Sequence, residues 1–367
     1  MRIACVVGAR PNFMKIAPVM EAMRPYPSLE PLLVHTGQHY DAAMSRVFFE
    51  DLGIPEPDVH LEIGSDTQGR QTAKILAAFE ALCEERRPEY VLVVGDVNST
   101  MAAALVAAKM GIRIGHVEAG LRSFDREMPE EVNRVVTDVL AEDLFTSCAD
   151  ALPNLLREGV PPERVHFVGN VMIDSLVEHR ARAARSDVLD RLGLRQKGYV
   201  VVTLHRPSNV DVPETFRGIL GALGTLSREK PVVFPVHPRT RKRIEETGLG
   251  ALVERHPDLR LVDPLGYLDF LRVMDGSALA VTDSGGIQEE TTFLGVPCLT
   301  VRLNTERPVT VTEGTNELVG VDPASIETAG LRALREDWKE GKIPELWDGK
   351  AGERIARILD RIAGETR

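Results

Sequence analysis

Charged side chains that could exchange protons with a substrate are concentrated in residues 116–134, HVEAGLRSFDREMPEEVNR, directly after an apolar run. Carboxylates grouped in this way are typical of general acid/base sites. A solvated loop would also carry charges, and Glu130 and Glu131 follow Pro129 at a helix start, where the helix dipole favours acids without any function. Glu118 ends the apolar run, where a buried carboxylate without a role would be costly.

Two further candidates for proton transfer follow other apolar runs. Asp96 lies in GDVNST, and His205 lies in LHRPSN. Asp96 could instead cap the helix that follows it, and His205 could be a structural histidine rather than a general acid or base. The residue types alone leave both interpretations open.

Two glycine-containing loops have the composition of an anion site. GARPNFMK places Arg10 and Lys15 after the first apolar run, and DSGGIQEE places Gly285 and Gly286 at the start of a helix. Glycines let the backbone approach a ligand, and the amides of a helix N-terminus bind phosphate. A Gly-Gly turn is also common without a ligand, and Pro11 could simply begin its helix.

Several common enzyme signatures are absent from the sequence. Neither a GxGxxG fingerprint after the first apolar run nor a GxxxxGK[ST] loop is present, which argues against NAD-dependent chemistry and P-loop hydrolysis. The HExxH and GxSxG motifs are missing as well. The cysteines lie far apart, which argues against a metal site. The sequence therefore predicts neither a cofactor nor a metal.

Length and charge narrow the class of protein. A chain of 367 residues suits two domains. Its net charge of −11 argues against a nucleic-acid partner or an anionic membrane surface. No run approaches the roughly 20 apolar residues of a membrane span, and the N-terminal apolar run is too short for a signal peptide. The expected location is the cytoplasm.

Short apolar runs alternate with longer amphipathic segments along the chain, which predicts parallel sheets built from right-handed βαβ units. The predicted strands are RIACVV, PLLVHT, YVLVVG, GIRIGHV, DLFTS and RVHFVGN in a first series and YVVVTL, PVVFPV, LRLVDP, ALAVTD and PCLTV in a second. We therefore predict an α/β protein with two doubly wound, Rossmann-like domains facing a central cleft. The predicted domains are residues 1–170, residues 171–349, and a C-terminal helix in 350–367 that packs back on the first domain.

The candidate loops follow the predicted strands. In doubly wound sheets, ligands bind outside the carboxyl ends of the strands. We therefore expect the acid/base loops and the anion-binding loops to lie at that end of each sheet.

These loops, in this order, resemble the non-hydrolysing UDP-N-acetylglucosamine 2-epimerase family. The matching motifs are GARPNFMK, TGQHYD, GDVNST, GHVEAGLRS, PEEVNR, LHRPSN, TDSGGIQEE, TERP and GTNELVG. The resemblance implies a GT-B-like fold in which the C-terminal domain holds most of the UDP. It also implies a nucleotide-sugar substrate, no cofactor and a homodimer.

The resemblance implies roles for individual residues. The positions that match the family's catalytic groups are Asp96, Glu118, Glu130 and His205. The positions expected to bind UDP are Arg10, Lys15, Phe270, Ser284, Gly285, Gly286, Glu290 (on the ribose) and Arg307. The candidates for an allosteric nucleotide-sugar site are Arg70, Arg206 and His237. The segment DAAMSRVF, residues 41–48, lacks the glutamine that bacterial members often carry there.

The reaction implied by the resemblance is the interconversion of UDP-GlcNAc and UDP-ManNAc. Loss of UDP from C1 would acidify the hydrogen at C2, a carboxylate would remove it to give 2-acetamidoglucal, and UDP would add back after protonation on the other face. We expect Arg122 and Arg134 to hold some of the carboxylates. Two alternatives stay open. The first is a hydrolysing relative that releases ManNAc and UDP. The second is a GT-B glycosyltransferase or a catalytically silent nucleotide-sugar-binding protein, because DSGGIQEETTFLGVP also resembles the donor-site segment of GT-B transferases.

Overall fold

The computed structural model describes residues 1–37 and 56–365, and the side chain of Arg10 lies outside that description. The chain divides into two compact units, one formed by Met1–Glu178 with Glu345–Arg367 and the other by His179–Pro344. The division falls within the helix Val171–Ala183, shortly after the boundary predicted near residue 170. The C-terminal segment belongs to the first unit.

The first unit contains a parallel sheet with the strand order β3-β2-β1-β4-β5-β6-β7. Its strands are β1 (Arg2–Val7), β2 (Glu30–His35), β3 (Val59–His60), β4 (Tyr90–Val94), β5 (Arg113–Val117), β6 (Asp143–Thr146) and β7 (Val165–Phe167). Its helices are Arg10–Met23, Gln68–Arg86, Asn98–Met110, Pro129–Leu140, Ala151–Arg157, the 3₁₀ turn Pro162–Arg164 and Ala351–Glu365. The strand order reverses between β1 and β4, which creates a switch point.

The second unit repeats this arrangement with the parallel order β10-β9-β8-β11-β12-β13. Its strands are β8 (Val200–Thr203), β9 (Val232–Pro235), β10 (Leu259–Val262), β11 (Leu279–Thr282), β12 (Cys298–Thr300) and β13 (Asn316–Leu318). Its helices are Val188–Arg191, Pro207–Val210, Pro213–Leu226, Pro238–Glu246, Gly250–Glu254, Tyr267–Gly276, Gly285–Leu294, Val309–Thr312 and Pro323–Leu334. Here the order reverses between β8 and β11.

The central strands of each sheet are buried on both faces. All residues of β4 are buried, and β1 exposes only its first residue. Near-continuous apolar strands are expected where helices cover both sides of a parallel sheet. In the second unit, Phe216 and Leu223 of one covering helix pack with Phe234 of β9 in a single core. The predicted α/β class with two doubly wound sheets is confirmed.

The helix Ala351–Glu365 packs against the first helix of the first unit. A Cβ on Gly352 would lie 2.7 Å from the carbonyl oxygen of Pro18, so only glycine allows this approach. Asp174 accepts hydrogen bonds from the backbone N–H groups of Ala351 at 3.1 Å and Gly352 at 2.7 Å. Burial raises the pKa of Asp174 to about 6, although these hydrogen bonds lower it. The start of this helix is therefore held by a buried carboxyl group.

Every strand predicted from an apolar run overlaps a strand of the structure. Two further strands, β3 and β13, were not predicted because two or three residues are too few to form a recognisable apolar run. Within the described ranges, no helix is long and apolar enough to cross a membrane.

Candidate active site

The candidate residues lie at the switch points of the two sheets. In the first unit, Lys15 is on the helix after β1 and Asp96 follows β4. In the second unit, His205 follows β8 and residues 283–286 follow β11. Loops on either side of a switch point leave a crevice outside the strand ends. Within each unit, the topology therefore brings together residues that are distant in the sequence.

Glu118 forms a buried ion pair with Lys15. The two side chains are 3% and 9% exposed, and Lys15 Nζ donates to Glu118 Oε2. Glu118 has a φ of 72°, a strained backbone conformation for a residue other than glycine. A Cβ on Gly95 would lie 3.3 Å from Lys15 Nζ and 3.6 Å from Glu118 Oε2, so the β4 turn lies against the pair. An ammonium has three donors, so Lys15 can hold Glu118 and still contact a phosphate.

Asp96 is held from two sides. Arg134 contacts Asp96 Oδ2 at 2.6 Å, and Asn133 Nδ2 donates to the Asp96 carbonyl oxygen at 2.9 Å. The N-cap of the next helix is Val97, so Asp96 does not cap that helix. The Asp96 side chain is 30% exposed. It is therefore oriented by Arg134 and still open to a ligand.

The adjacent residues Glu130 and Glu131 have opposite environments. Glu131 is buried, where it accepts hydrogen bonds from the backbone N–H groups of Ser123 and Phe124, each at 2.9 Å, and pairs with Arg134. Glu130 is exposed on the same turn of the helix. Glu131 therefore binds the loop that contains Ser123 and Phe124 to the helix, whereas the carboxylate of Glu130 is accessible to a substrate.

His205 is exposed but oriented by a buried carboxylate. Its Nδ1 lies 2.8 Å from Asp283 Oδ1, and the Asp283 side chain is 0% exposed. Asp283 also accepts from the backbone N–H of Arg206 at 2.9 Å and from Asn209 Nδ2 at 3.0 Å. Burial raises the pKa of Asp283, but His205 and the backbone donors outweigh burial and leave the pKa below its ordinary value. An ionised Asp283 requires a proton on Nδ1, which leaves Nε2 of His205 for a ligand.

A buried arginine lies against the start of the helix that follows β11. A Cβ on Gly285 would lie 2.3 Å from Arg307 Nη1, so a larger residue there would have to displace the guanidinium. Arg307 is held by Glu289 at 2.7 Å and by Glu306 at 2.5 Å. Ser284, at the N-cap of this described helix, makes no side-chain capping bond. A guanidinium thus meets the amide end of a helix, an arrangement that suits a diphosphate.

Glu290 is buried beside another carboxylate. Burial, together with the charge of Glu289, raises the pKa of Glu290 to about 8, although a hydrogen bond from Tyr267 lowers it. The Tyr267 hydroxyl lies 3.4 Å from Glu290 Oε1. Phe270, one turn along the helix from Tyr267, packs against an apolar cluster of the second unit. A ligand hydroxyl that donated to Glu290 would favour its carboxylate form.

A comparison with family models gives a match over most of the chain. The model described as UDP-N-acetylglucosamine 2-epimerase matches residues 21–360. The chain belongs to the UDP-N-acetylglucosamine 2-epimerase family.

Relatives of this epimerase-family chain match it along nearly its whole length. The UDP-N-acetylglucosamine 2-epimerase of Methanococcus maripaludis is 39% identical over 98% of each chain. The UDP-2,3-diacetamido-2,3-dideoxy-D-glucuronate 2-epimerase of Pseudomonas aeruginosa is 40% identical over 99% of this chain and 100% of the other. The crystal structure of Methanocaldococcus jannaschii UDP-GlcNAc 2-epimerase with UDP-GlcNAc and UDP has a TM-score of 0.89 at 39% identity, covering 98% of this chain and 100% of that one. The predicted family and its GT-B-like fold class are confirmed.

The epimerase fold sorts the predicted site residues into two groups. The first unit contains Lys15, Asp96, Glu118 and Glu130, and the second contains His205, Phe270, Ser284, Gly285, Gly286, Glu290 and Arg307. Arg10 begins the first helix, and its predicted contact with diphosphate falls outside the described side chains. The individual roles of these residues stay predictions.

The three predicted allosteric candidates have separate environments. Arg70 is exposed on the helix Gln68–Arg86 of the first unit. In the second unit, Arg206 Nε donates to the Asp283 carbonyl oxygen at 3.0 Å, and His237 caps the helix Pro238–Glu246. Residues 38–41 of the TGQHYD motif and residues 41–48 lie outside the described part of the chain. An allosteric role stays a prediction.

Sequence reasoning missed the residues that act on other side chains. Asp283, Glu289 and Glu306 orient His205 and Arg307, but none of them was a candidate. Asp283 had a usable signal, because it stands at a strand end immediately before the Ser-Gly-Gly turn. Glu289 had none, because its pairing with Arg307 depends on the approach of a loop 18 residues further along the chain, and Glu306, next to Arg307, was not singled out within the TERP motif.

Substitutions of Glu130 and Glu131 should distinguish a catalytic glutamate from a structural one. Glu130→Gln should lower turnover by roughly 10²–10⁴-fold, the range for a lost general acid or base, at an unchanged melting temperature. Glu131→Gln should lower the free energy of unfolding by about 2–3 kcal/mol. This is less than the cost of leaving a buried arginine unpaired, because Arg134 retains its ion pair with Asp96. Thermal unfolding and turnover are measured for both variants. A lowered melting temperature for Glu130→Gln, together with an unchanged one for Glu131→Gln, would reverse these assignments.

The raised pKa of Glu290 predicts a pH dependence of stability. The folded pKa of about 8 exceeds the ordinary value of 4.5, so the folded state binds the extra proton between these values. The free energy of unfolding should therefore fall as the pH rises through this window. Glu290→Gln stays neutral, so its melting temperature relative to wild type should increase between about pH 5 and pH 8.5. The exposed Glu254→Gln is the control, and a pH-independent difference for Glu290→Gln would contradict the prediction.

Proposed function

We propose that this enzyme interconverts UDP-GlcNAc and UDP-ManNAc by reversible epimerisation at C2 of the sugar. The observation that supports this most directly is the Lys15–Glu118 pair beside Asp96 at the switch point of the first sheet. Acid/base carboxylates at strand ends are what a proton transfer at C2 requires. The UDP-GlcNAc and UDP named in the similar Methanocaldococcus jannaschii structure identify the nucleotide sugar that we propose as substrate.

The first half of the reaction is loss of UDP. The hydrogen at C2 is not acidic, but cleavage of the C1–O bond to UDP puts positive charge on C1 and acidifies it. A carboxylate then takes the C2 proton, the C–H electron pair forms the C1–C2 double bond, and UDP and 2-acetamidoglucal result. Arg307 and the amides after Ser284 stabilise the charge that develops on the diphosphate.

The second half reverses these steps on the other face of the sugar. A protonated acid delivers a proton to C2, the double-bond electrons form the new C–H bond, and a UDP oxygen attacks C1. Two acid/base groups are needed on opposite faces, and Asp96, Glu118 and Glu130 are the candidates. His205, oriented by Asp283, places Nε2 where it can hydrogen-bond the substrate. Each step is a proton transfer or a C–O exchange, so the sequence of steps involves no net oxidation.

The alternatives differ in what happens to the intermediate. A hydrolysing epimerase would release free ManNAc with UDP, and a glycosyltransferase would show no turnover of UDP-GlcNAc alone. The Pseudomonas aeruginosa relative is named for a substrate with other groups at C3 and C6, and it too is named a 2-epimerase. The cytoplasmic location expected from the sequence stays a prediction.

Solvent isotope incorporation tests the mechanism. In D₂O, with UDP-GlcNAc alone, the product UDP-ManNAc should carry deuterium at C2 because the proton passes through an exchangeable carboxyl group. Proton NMR follows the C2 signal, and prolonged incubation should also release 2-acetamidoglucal and UDP. Glu118→Gln, which removes one of the proposed acid/base groups, should lose turnover and serves as the negative control. Retention of the original C2 hydrogen, or free ManNAc as the first product, would exclude this mechanism.

We further propose that the enzyme is a homodimer that pairs through the helix Pro129–Leu140. This helix buries its polar side and turns valines outward, with Val132 and Val139 44% and 60% exposed. Met101 and Leu105 are partly buried residues of the helix Asn98–Met110, which packs against this helix. Contiguous exposed apolar side chains mark an interaction surface. A second copy of the chain is the proposed occupant, since a two-fold contact pairs such a stripe with itself.

A charge in the valine stripe should separate the subunits. Wild-type enzyme should have twice the 40.4 kDa chain mass in analytical ultracentrifugation, and Val139→Asp should have the mass of one chain. Val212→Asp, at a 46% exposed valine of the second unit, is the matched control and should leave the mass unchanged. A dimeric Val139→Asp would place the contact elsewhere, and a monomeric wild type would exclude the homodimer.

A further inference from the structure

A buried histidine that the mechanism does not use lies between the turns that carry Asp96 and Glu118. The His116 side chain, in β5, is 0% exposed. Its Nε2 lies 2.8 Å from the carbonyl oxygen of Gly95, and its Nδ1 lies 2.6 Å from Asp138 Oδ1. Both ring nitrogens therefore face oxygen atoms.

Asp138 accepts hydrogen bonds from groups on several elements of the first unit. The backbone N–H of Gly120 donates to Asp138 Oδ2 at 3.0 Å, and Arg122 Nη2 contacts the same oxygen at 2.7 Å. Arg122 also pairs with Glu158 at 2.6 Å. Burial raises the pKa of Asp138, but His116, Arg122 and the Gly120 amide outweigh burial and hold the pKa below its ordinary value. Independently of His116, the Gly120 amide and the Arg122 guanidinium both donate to Asp138 Oδ2, which favours the carboxylate form of Asp138, and a carboxylate only accepts hydrogen bonds.

A neutral imidazole carries one N–H and one lone pair. Between a carbonyl oxygen and a carboxylate, either neutral tautomer would turn a lone pair toward an oxygen less than 3 Å away. We infer that His116 is held as an imidazolium and is a positioning residue that ties the Gly95 turn to Asp138. The charges then balance, because His116 and Arg122 face Asp138 and Glu158.

The bonds of His116 reach both candidate acid/base turns. Gly95 immediately precedes Asp96, and its Cα lies against the Lys15–Glu118 pair, the nearest charged groups on the far side of the turn. Gly120, held by Asp138, lies two residues beyond Glu118. His116 would thus set the relative positions of Asp96 and Glu118 without touching the substrate. Only this kinetic consequence rests on the proposed function; the protonation state does not.

The protonation state is tested on the full-length enzyme without substrate. Nitrogen-15 NMR of histidine-labelled protein at the pH of the activity assay should show both ring nitrogens of His116 carrying a proton, because both face oxygen atoms. The signal is assigned by its loss in His116→Gln. A single protonated nitrogen would overturn the inference whether or not the enzyme is an epimerase.

The positioning role is tested by comparing two buried substitutions. Asp138→Asn keeps the side-chain shape but removes the charge that holds the imidazolium, and kcat should fall by about 10²-fold, the cost of a small misplacement of reacting groups, with KM nearly unchanged. The control is Tyr90→Phe, which removes a buried hydrogen bond to Asp143 (3.0 Å) at the start of β4, the opposite end from Gly95. Tyr90→Phe should lower the melting temperature and leave kcat unchanged. Equal kcat in the two variants would refute the positioning role.

Discussion

The need to pair a buried charge governs the active-site end of the first unit. Lys15 and Glu118 are both buried, and either charge alone would be strongly destabilising in that position. Breaking such a pair costs about 3–5 kcal/mol. The pair is accommodated by Gly95, where a Cβ would lie only 3.3 Å from Lys15 Nζ, and by the left-handed backbone of Glu118. The groups proposed for catalysis are therefore also groups on which the local fold depends.

The second unit also contains a paired buried cation at the equivalent position of its sheet. Its fourth strand in chain order, β11, leads to Asp283 and Gly285, just as β4 leads to Gly95 and Asp96 in the first unit. In both turns a glycine admits a buried cation, Lys15 in one unit and Arg307 in the other. In the second unit, Arg307 lies already paired at the start of the helix Gly285–Leu294, so we expect that an anionic diphosphate would bind there with little rearrangement.

The alternation of apolar runs was sufficient to predict both sheets, and the cost of a buried carboxylate at a strand end correctly singled out Glu118 as a buried group. The sequence could not show which of Glu130 and Glu131 is buried. That outcome depends on the loop folding back so that the Ser123 amide reaches Glu131. His116 gave no signal either, because its partners come from other elements of the fold.

The helix Pro129–Leu140 connects the chemistry to the proposed assembly. An ordinary surface helix turns its polar side to water, but this helix buries Arg134 and Asp138, which hold the Asp96 and Gly120 turns. The periodicity of the sequence then places valines on the opposite side, toward the surface. The apolar surface is therefore a direct consequence of the buried polar network. A partner subunit that covers the valines would hold from outside the same helix that orients the acid/base residues from inside.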